Sequence, residues 1–525
     1  MRGEKNLERE TYLPLPHDLH RRITASFEGE EYAGRGFESS AGALNRFISH
    51  AKKKLFQQVE SFTGPLYQIR SKAERLNEPW EYVLDILYKQ GLIKNPAILF
   101  SPPYNDEPKF YVLYLESNIS QEKLVHSHIK YIENGGFSFF DYHEAVSKTI
   151  GELLERYTLS PLSTYSYERF SISELRHKRK RFLDPERMCV FSEDQRKQHA
   201  DFYQHGDASF LWVEGKNLYT EEPILLPAQN AFWGYNPTHA GEPWIQETNS
   251  NGCAGMFTKE SAIVGGLREL IERDAFLLYW LNTIAPPRVE LATLEDSSLQ
   301  ELFFAAHRYD LEVEILDTTS DIRIPSFTAV VIDKAHCNAG EAAITMGGGC
   351  NFSPEQAIRS ALTEALAARG ISRWNTKAKE EYFIGDEYVP FIDKNLGRNE
   401  RVSLWMNKKM FPKFKWFLEG EEVSFQSVKD KCQSSMSVRK EDQLLFLLKR
   451  FRELGFGNDI YYFQAKHKAL DALGYYAVKV IIPGLVPLYL AEWLAPLGVQ
   501  RLQQFFAAQG ATRSAFPNPF PHPYP

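Results

Sequence analysis

GCAGMFTKESAIVGGLRELIERDA, residues 252–275, decides the fold because its plan occurs three times in the chain. The other copies are GGFSFFDYHEAVSKTIGELLERY at 135–157 and GGGCNFSPEQAIRSALTEALAAR at 347–369. In each copy a glycine-containing turn leads into a predicted helix, in which an alanine precedes a glutamate by seven residues. Seven residues make two helical turns, so we expect the alanine to allow close packing and the acid to lie further along the same face. The pairs are Ala145 and Glu152, Ala262 and Glu269, and Ala357 and Glu364.

Two of these helices continue into the string Glu-x-x-Glu-Arg. Acids three residues apart lie on one helix face, and here that face also carries the alanine and much of the apolar pattern. Buried like charges repel each other and are driven to protonate, so a positive charge is expected between them. A lone string is typical of an exposed, salt-bridged face, but two copies at the same place in a repeat favour a site. The residues are Glu152, Glu155 and Arg156 in the first copy and Glu269, Glu272 and Arg273 in the second.

The third copy of the repeat is weaker. Ala367 and Ala368 replace its second acid, and Arg369 is displaced by one position. Glu364 is therefore expected to provide a single metal ligand or only a structural hydrogen bond.

The chemistry of the acids favours Mg²⁺ and a nucleotide. Hard carboxylate oxygens, with no histidine or cysteine in the pattern, suit octahedral Mg²⁺ shared with phosphate. Ions held by two facing helices would clamp a triphosphate, and Arg156 or Arg273 would offer planar donors to its oxygens. The chain contains neither G-x-x-x-x-G-K-[ST] nor a G-x-G-x-x-G between a strand and a helix. The pattern therefore predicts an ATP site without a phosphate-cradling loop.

Composition excludes several other classes. The net charge of −7 gives no basic field for nucleic acid. The N-terminus lacks the apolar core of a signal peptide. The most apolar stretch, YYAVKVIIPGLVPLYLAEWL at 475–494, is interrupted by Lys479, Pro483, Gly484 and Pro487, which predicts strand, turn and strand rather than a membrane span. The five cysteines never form C-x-x-C, so neither a disulfide framework nor a zinc cluster is indicated, and we expect a reducing cytoplasm.

Secondary-structure patterns divide the chain near residue 95. Before it, residues 42–62 and 80–93 have the apolar spacing of amphipathic helices. After it, β-branched and aromatic runs such as FTAVVID, DIYYFQA and YYAVKVII alternate with helices. We predict a largely helical region at 1–95 and an α+β domain at 96–525, which ends in a proline-rich tail at 516–525.

The tail closes on NPFPHPYP, residues 518–525, in which every second residue is proline. Proline fixes its own φ and holds the preceding residue extended, so residues 517–525 are predicted to form a rod of roughly 28 Å. Such a rod loses little entropy on docking and can place its terminal carboxylate at one chosen point. The proline-rich sequence by itself is also typical of a disordered end or of a ligand for an aromatic-groove domain.

These strings together resemble the YcaO family, and specifically the D-protein component of azoline-forming cyclodehydratases. The resemblance rests on SNGCAGMFTKESAIVGGLRELIERDAF, EAVSKTIGELLERY, AIRSALTEALAAR, VKVIIPGLVPL and the ending PFPHPYP, in that family's order. It covers about residues 95–525 and implies a YcaO-type fold of antiparallel sheets packed with helices.

The resemblance also implies the roles of particular residues. Its implied magnesium ligands are Glu152, Glu155, Glu269 and Glu272; its implied nucleotide contacts are Arg156, Arg273, Ser250 and Asn251. The family's tail enters the active site, so Pro521, Pro523 and Pro525 would bring the terminal carboxylate beside the reacting peptide. The chain departs from many relatives at Lys148, Gly265, Ser261 and Phe257, and this affects the expected nucleotide contacts.

The implied reaction is ATP- and Mg²⁺-dependent cyclodehydration of Cys, Ser or Thr in a ribosomally synthesised precursor peptide, as in thiazole/oxazole-modified microcin and bacteriocin biosynthesis. The leading 95 residues are short for the leader-binding module of fused relatives and lack its paired C-x-x-C signature. We therefore expect a separate E1-like (ThiF-like) leader-binding partner. A flavin-dependent dehydrogenase and a homodimer are further implications, whereas neither nucleic acid nor a membrane is expected as a partner.

Two alternatives remain open. Related enzymes install thioamides or form amidine rings with the same ATP chemistry. From another class, the chain could be a non-catalytic docking scaffold that presents a peptide to a modifying partner, although the intact paired acids argue against it. Cys253 lies beside the predicted pocket, but its turn is lined by small residues and packing explains it.

Overall fold

The computed structural model describes residues 79–101, 103–132, 134–374, 388–392, 398–510 and 516–524. Its strands are β1 Ile93–Ser101, β2 Tyr111–Ser117, β3 Gly136–Ser138, β4 Glu168–Ser171, β5 Ser209–Asn217, β6 Pro223–Pro227, β7 Cys253–Met256, β8 Arg288–Val289, β9 Leu311–Asp317, β10 Ser326–Asp333, β11 Ala343–Cys350, β12 Glu422–Val423, β13 Tyr461–Gln464 and β14 Tyr476–Ile481. Its α-helices of six or more residues are α1 Pro79–Lys89, α2 Tyr142–Thr158, α3 Ile172–His177, α4 Glu193–Gln198, α5 Lys259–Leu281, α6 Ser297–His307, α7 Pro354–Trp374, α8 Arg398–Met406, α9 Phe425–Met436, α10 Gln443–Glu453, α11 Lys468–Leu473 and α12 Arg501–Gln509.

The strands form a three-stranded sheet in the order β1-β2-β3, a five-stranded sheet in the order β11-β10-β9-β8-β12, and a six-stranded sheet in the order β4-β5-β13-β14-β7 with β6 on β5. Neighbouring strands are antiparallel, except for the parallel pair of β8 and β12. Helices cover these sheets, and α5 packs on β7 and β14 of one sheet and on β10 and β11 of another. This arrangement confirms the predicted α+β fold of antiparallel sheets packed with helices.

Each repeat is a strand followed by a helix, namely β3 and α2, β7 and α5, and β11 and α7. A side-chain oxygen of Asp141, Thr258 or Ser353 begins each helix by accepting a backbone hydrogen bond. The prediction of a glycine-containing turn is wrong for the third copy, because Gly347–Gly349 lie inside β11.

In the first and third copies, glycine is needed where the strand meets its helix. A Cβ atom on Gly136 would lie 2.0 Å from the carbonyl oxygen of Ala145, and one on Gly349 would lie 2.0 Å from that of Ala357. Ala145 and Ala357 therefore lie where helix and strand backbones approach closely, as their spacing predicted. Side chains larger than hydrogen at these glycines would push the helices off their strands.

The apolar stretch at 475–494 begins with β14, as predicted, and turns at Pro483 and Gly484. The second strand predicted there is wrong, because residues 485–490 are irregular. Buried side chains, rather than a neighbouring strand, satisfy this backbone: Asp274 accepts from Val486 N at 3.0 Å, and Asn251 donates to Leu488 O at 2.7 Å. Among the described helices, none combines the length and apolarity that a membrane crossing requires.

The domain boundary predicted near residue 95 falls within β1. Helix α1 agrees with the helix predicted at 80–93, whereas the one predicted at 42–62 lies outside the described residues. The division into regions 1–95 and 96–525 therefore stays a prediction.

Candidate active site

Helices α2 and α5 bring the two Glu-x-x-Glu-Arg motifs to the same part of the molecule, because both pack against β7 and β14. Most of their other side chains are buried, but the motif side chains form a half-buried strip. Glu152 and Glu269 keep 28% and 25% of their side-chain surface accessible. Since these acids keep part of their surface accessible among otherwise buried side chains, we call the region of Glu152, Glu155, Glu269 and Glu272 the acid-lined recess.

The first acid of each motif is held by two partners. Glu152 Oε1 pairs with Arg156 at 2.8 Å, and its Oε2 accepts a hydrogen bond from the backbone N–H of Gly135. Glu269 repeats the pattern, with Arg273 at 2.6 Å and Gly252 N at 2.6 Å. The arginine of each motif is thus one source of the positive charge that the sequence required, and it pairs within its own helix.

The third repeat keeps the glycine contact but not the arginine. Glu364 Oε2 accepts from Gly348 N at 2.8 Å, which is the structural hydrogen bond expected for this residue. Arg369 instead pairs with Glu107 and Asp333, both at 2.8 Å. Two of the three repeats therefore carry acids and arginine together, as their sequences indicated.

The second acid of each motif is electrostatically strained. Burial, followed by the charge of Glu269, raises the pKa of Glu155 to about 8. The influence of Glu269 on Glu155 means that acids from α2 and α5 lie near each other. Burial also raises the pKa of Glu272, while a hydrogen bond from the Tyr524 hydroxyl opposes the shift. A bound cation would relieve this strain by stabilising the ionised carboxylates.

Asn251 contacts the motif of α5, while the nucleotide contacts predicted for Asn251 and Ser250 stay a prediction. An Arg273 guanidinium N–H donates to Asn251 Oδ1, and Asn251 Nδ2 donates to Leu488 O at 2.7 Å. Ser250 lies in the same turn, half-buried, and its carbonyl oxygen accepts from Cys253 N at 2.9 Å. The turn before β7 therefore lies next to the acid-lined recess.

Sequence reasoning missed Lys479 as part of this region. Its side chain is buried, and Nζ donates to Asn249 O at 2.6 Å and lies 3.8 Å from Cys253 Sγ. Lys479 also opposes the burial-driven rise in the pKa of Glu269. A lone charge inside the apolar strand β14 was the signal that could have identified it. Burial raises the pKa of Cys253 to about 12, which agrees with a packing role for this thiol.

The C-terminal tail docks beside the same helix. Asn518 N donates to Leu281 O at 3.0 Å, Trp280 Nε1 donates to Phe520 O at 3.2 Å, and Trp405 Nε1 donates to Pro521 O at 2.9 Å. The buried ring of His522 lies 2.6 Å from Arg401. The tail is thus held along α5 rather than left in solvent.

The predicted tail residues are only partly described. Pro521 and Pro523 are buried, and Tyr524, which lies between Pro523 and Pro525, donates to Glu272. Pro525 lies outside the described residues. The catalytic role predicted for these three prolines stays a prediction.

The four positions expected from the resemblance to differ from many relatives make local contacts. Lys148 pairs with Glu144 at 2.9 Å, and the ring of Phe257 packs on Tyr475 at 5.3 Å. Ser261 contacts the N-terminal cap of α5, and Gly265 faces Ala254. These contacts belong to the ends and packing faces of α2 and α5.

The donor set fits a divalent cation that is shared with a nucleotide. Glu152 and Glu269 each pair with the arginine of their own motif, whereas burial disfavours the charged forms of Glu155 and Glu272, which a bound cation would stabilise. Within the ranges that the structure describes, no three acidic, histidine or cysteine side chains converge on one point. Mg²⁺ in nucleotide sites is usually held by one or two carboxylates together with phosphate oxygens and water. The role of Glu152, Glu155, Glu269 and Glu272 as magnesium ligands stays a prediction, and Glu155 and Glu272 are the acids of this set that are candidates for direct contact with Mg²⁺.

Comparison with known proteins agrees with this reading. Residues 140–486 match the family described as YcaO cyclodehydratase, ATP- and Mg²⁺-binding. An uncharacterized protein of Methanothermobacter thermautotrophicus is 27% identical over 307 residues, which cover 58% of this chain and 70% of that protein.

Two solved structures share the fold. A heterocyclase in complex with substrate and cofactor superposes with a TM-score of 0.59 at 18% identity, covering 83% of this chain and 57% of that chain. YcaO from Methanopyrus kandleri, bound with AMPPCP and Mg²⁺, has a TM-score of 0.50 at 18% identity and covers 77% and 89%. The chain thus spans little more than half of the heterocyclase.

The matched region contains both Glu-x-x-Glu-Arg motifs, the turn before β7 and the whole of β14. The family binds ATP and Mg²⁺, the two groups that the charge of the recess suits. From the sequence match and the shared fold together, we conclude that the chain belongs to the YcaO family of cyclodehydratases.

Proposed function

We propose that this chain is an ATP- and Mg²⁺-dependent cyclodehydratase that converts Cys, Ser or Thr residues of a precursor peptide into thiazoline or oxazoline rings. One observation carries the proposal: the C-terminal tail meets the acid-lined recess, where the Tyr524 hydroxyl contacts Glu272 of the second motif. A nucleotide site and a chain terminus at one place suit a reaction in which a peptide is activated by phosphate and deprotonated nearby.

The chemistry begins at the peptide backbone. The sulfur of Cys, or the oxygen of Ser or Thr, attacks the preceding carbonyl carbon and loses its proton. The carbon becomes tetrahedral and its oxygen becomes an alkoxide. That oxygen takes the γ-phosphoryl group of ATP, with ADP as the leaving group. Loss of the amide N–H proton then forms the C=N bond as the C–O bond breaks and phosphate departs. The products are azoline, ADP and phosphate, and the peptide has lost one water.

The residues of the recess would have two roles, metal binding and orientation of the arginines. Glu155 and Glu272 would hold Mg²⁺, which would neutralise the charge of the phosphates when bound. Glu152 and Glu269 would keep Arg156 and Arg273 oriented toward the phosphate oxygens, because each acid already pairs with its arginine. Asn251 would fix Arg273 from the other side.

Proton removal would fall to the tail. The Pro525 carboxylate is our candidate for the general base, since it follows directly on Tyr524 at the recess. Pro521 and Pro523 would act by holding the tail in place, because both are buried along its docked path.

Substrate delivery would need other chains. We propose that a separate E1-like partner binds the leader of the precursor peptide and that the enzyme acts as a homodimer. A flavin-dependent dehydrogenase would then oxidise azoline to azole.

An oxygen-transfer experiment tests the reaction. The chain, its partner, ATP and Mg²⁺ are incubated with a candidate precursor whose carbonyl oxygen before one Cys is ¹⁸O. We expect the peptide to lose one water per ring and the ¹⁸O to appear in inorganic phosphate. Retention of the label in an unmodified peptide would refute the proposal. A mass gain from exchange of oxygen for sulfur would instead identify a thioamide-forming enzyme.

Matched variants on α5 locate the activity. Glu272→Ala should abolish ring formation, whereas Glu260→Ala, an exposed glutamate near the start of the same helix, should retain it. Full ring formation by Glu272→Ala would remove this residue from the proposed metal site.

A further inference from the structure

The tail runs antiparallel to α5, and its spacing along the helix is regular from Phe520 onward. Asn518 contacts Leu281, Phe520 contacts Trp280, and the His522 ring lies 5.8 Å from the Phe276 ring. Two residues of an extended proline-rich chain span about 6 Å, close to the pitch of about 5.4 Å of one helical turn. From Phe520 onward, every second tail residue therefore meets the next turn of the helix, at Trp280, Phe276 and Glu272, and this spacing delivers Tyr524 to Glu272.

The Tyr524 side chain fits a space left open by a glycine. Its ring packs on Phe276 with a centroid separation of 5.1 Å, and the residue is 2% exposed. A Cβ atom on Gly348 of β11 would lie 1.7 Å from the Tyr524 hydroxyl oxygen. The absence of a side chain at Gly348 is thus a condition for the hydroxyl to reach Glu272.

Glu272 is held differently from the first acid of its motif. Glu269 pairs with Arg273 and with Gly252, whereas among the described residues the hydrogen-bond donor to the Glu272 carboxylate is Tyr524. A phenol donor engages one oxygen of the carboxylate. The second oxygen, and the remaining lone pair of the first, stay available for a cation.

We propose that Tyr524 is a positioning residue that orients the Glu272 carboxylate for the Mg²⁺–nucleotide complex, so that docking of the tail and binding of the nucleotide are linked. This inference rests on the proposed function of the recess. Because binding linkage is reciprocal, the docked tail strengthens nucleotide binding and the nucleotide strengthens tail docking by the same factor. A cyclodehydratase built in this way engages ATP most tightly when its terminus is in place.

Calorimetric binding of Mg²⁺·AMPPCP to the full chain tests the inference without turnover. Tyr524→Phe keeps the ring and removes the donor, and we expect a loss of affinity of about 10-fold, typical of a group that orients a metal ligand. The Mg²⁺ concentration at which nucleotide binding is half-maximal should also rise in this variant. The matched control is Tyr489→Phe, which keeps the ring and removes a buried hydroxyl that has no hydrogen-bond partner among the described residues; this variant should bind as the unaltered chain does.

A second variant displaces Tyr524 without changing it, and a matched glycine variant serves as its control. Gly348→Ala should displace the ring and weaken Mg²⁺·AMPPCP binding at least as much as Tyr524→Phe. Gly370→Ala, where an added Cβ meets nothing within 4 Å, should not. Unaltered affinity in both Tyr524→Phe and Gly348→Ala would overturn the positioning role alone. Failure of the unaltered chain to bind Mg²⁺·AMPPCP would overturn both this inference and the proposed function.

Discussion

Glu269 Oε2 accepts a hydrogen bond of 2.6 Å from the backbone N–H of Gly252, which precedes it by 17 residues. Glu152 with Gly135 and Glu364 with Gly348 repeat this contact in the other two copies. The first acid of each repeat therefore ties its helix to the strand or turn before it. The second acids, Glu155 and Glu272, do not make this contact and line the recess instead.

This division predicts different stabilities for two neighbouring variants. Glu269→Gln leaves the Arg273 guanidinium without its ion pair and should lower the free energy of unfolding by about 3 kcal/mol. Glu272→Gln breaks no ion pair among the described residues, and its amide oxygen can still accept from the Tyr524 hydroxyl, so it should leave the free energy of unfolding nearly unchanged. Urea unfolding in EDTA measures both. An equal loss of unfolding free energy in the two variants would contradict a structural role for Glu269 and a site role for Glu272.

Deleting Pro525 alone should separate binding from chemistry. The deletion leaves Tyr524 in the chain but withdraws the terminal carboxylate by about 3 Å. We expect Mg²⁺·AMPPCP affinity to stay within about 2-fold, while ring formation slows by about 100-fold, as for loss of a general base. Calorimetry and peptide mass spectrometry give the two values. Unchanged turnover would rule out the carboxylate as the base.

The three repeats and their helix faces could be predicted from the sequence because the signal is local. Two helical turns fix the relation of Ala145 to Glu152, and the structure places that alanine against Gly136 of the preceding strand. The chain at 485–490 could not be predicted in this way. Its apolar residues resemble a strand, but its backbone partners, such as Asp274, come from distant parts of the sequence.

The same contrast holds for the recess. The paired acids were visible as a repeated string, and Asn251 entered through the family resemblance. Lys479 and Tyr524 were missed, because their roles depend on β14 and the tail folding against α5. A charge in an apolar strand and a tyrosine between prolines are weak signals until the three-dimensional contacts are known.

A buried ion network should dominate the stability of the region behind the recess. Arg501 on α12 pairs with Asp274, which is fully buried, at 2.9 Å, and also with Asp321 at 2.5 Å. Arg501→Met should cost about 3–5 kcal/mol of unfolding free energy, because it leaves Asp274 as an unpaired buried charge. The control is Lys197→Met, whose exposed pair with Asp194 should contribute less than about 0.5 kcal/mol. A similar small change in both variants would count against the network.

Glu242 should make stability depend on pH. Burial raises its pKa to about 7, although Leu211 N and the Tyr235 hydroxyl donate to it at 2.6 Å and 2.8 Å. The folded state thus keeps this proton up to a higher pH than the unfolded state. The stabilisation is present in full below the unfolded pKa and is lost as pH rises through about 7.

Unfolding of the unaltered chain and of Glu242→Gln between pH 4.5 and pH 8 measures this effect. Each unit of pKa shift corresponds to about 1.4 kcal/mol, so the loss of stability with rising pH should be smaller in the variant by up to about 3 kcal/mol. Parallel curves for the two proteins would assign the pH dependence to other groups.

The most direct test of the account is anomalous diffraction from crystals of the chain grown with AMPPCP and Mn²⁺ in place of Mg²⁺. We predict manganese peaks between α2 and α5, within coordination distance of Glu155 and Glu272, with the phosphates on the side of Arg156 and Arg273. Nucleotide and metal bound elsewhere on the chain, with the four glutamates contacting neither, would contradict it.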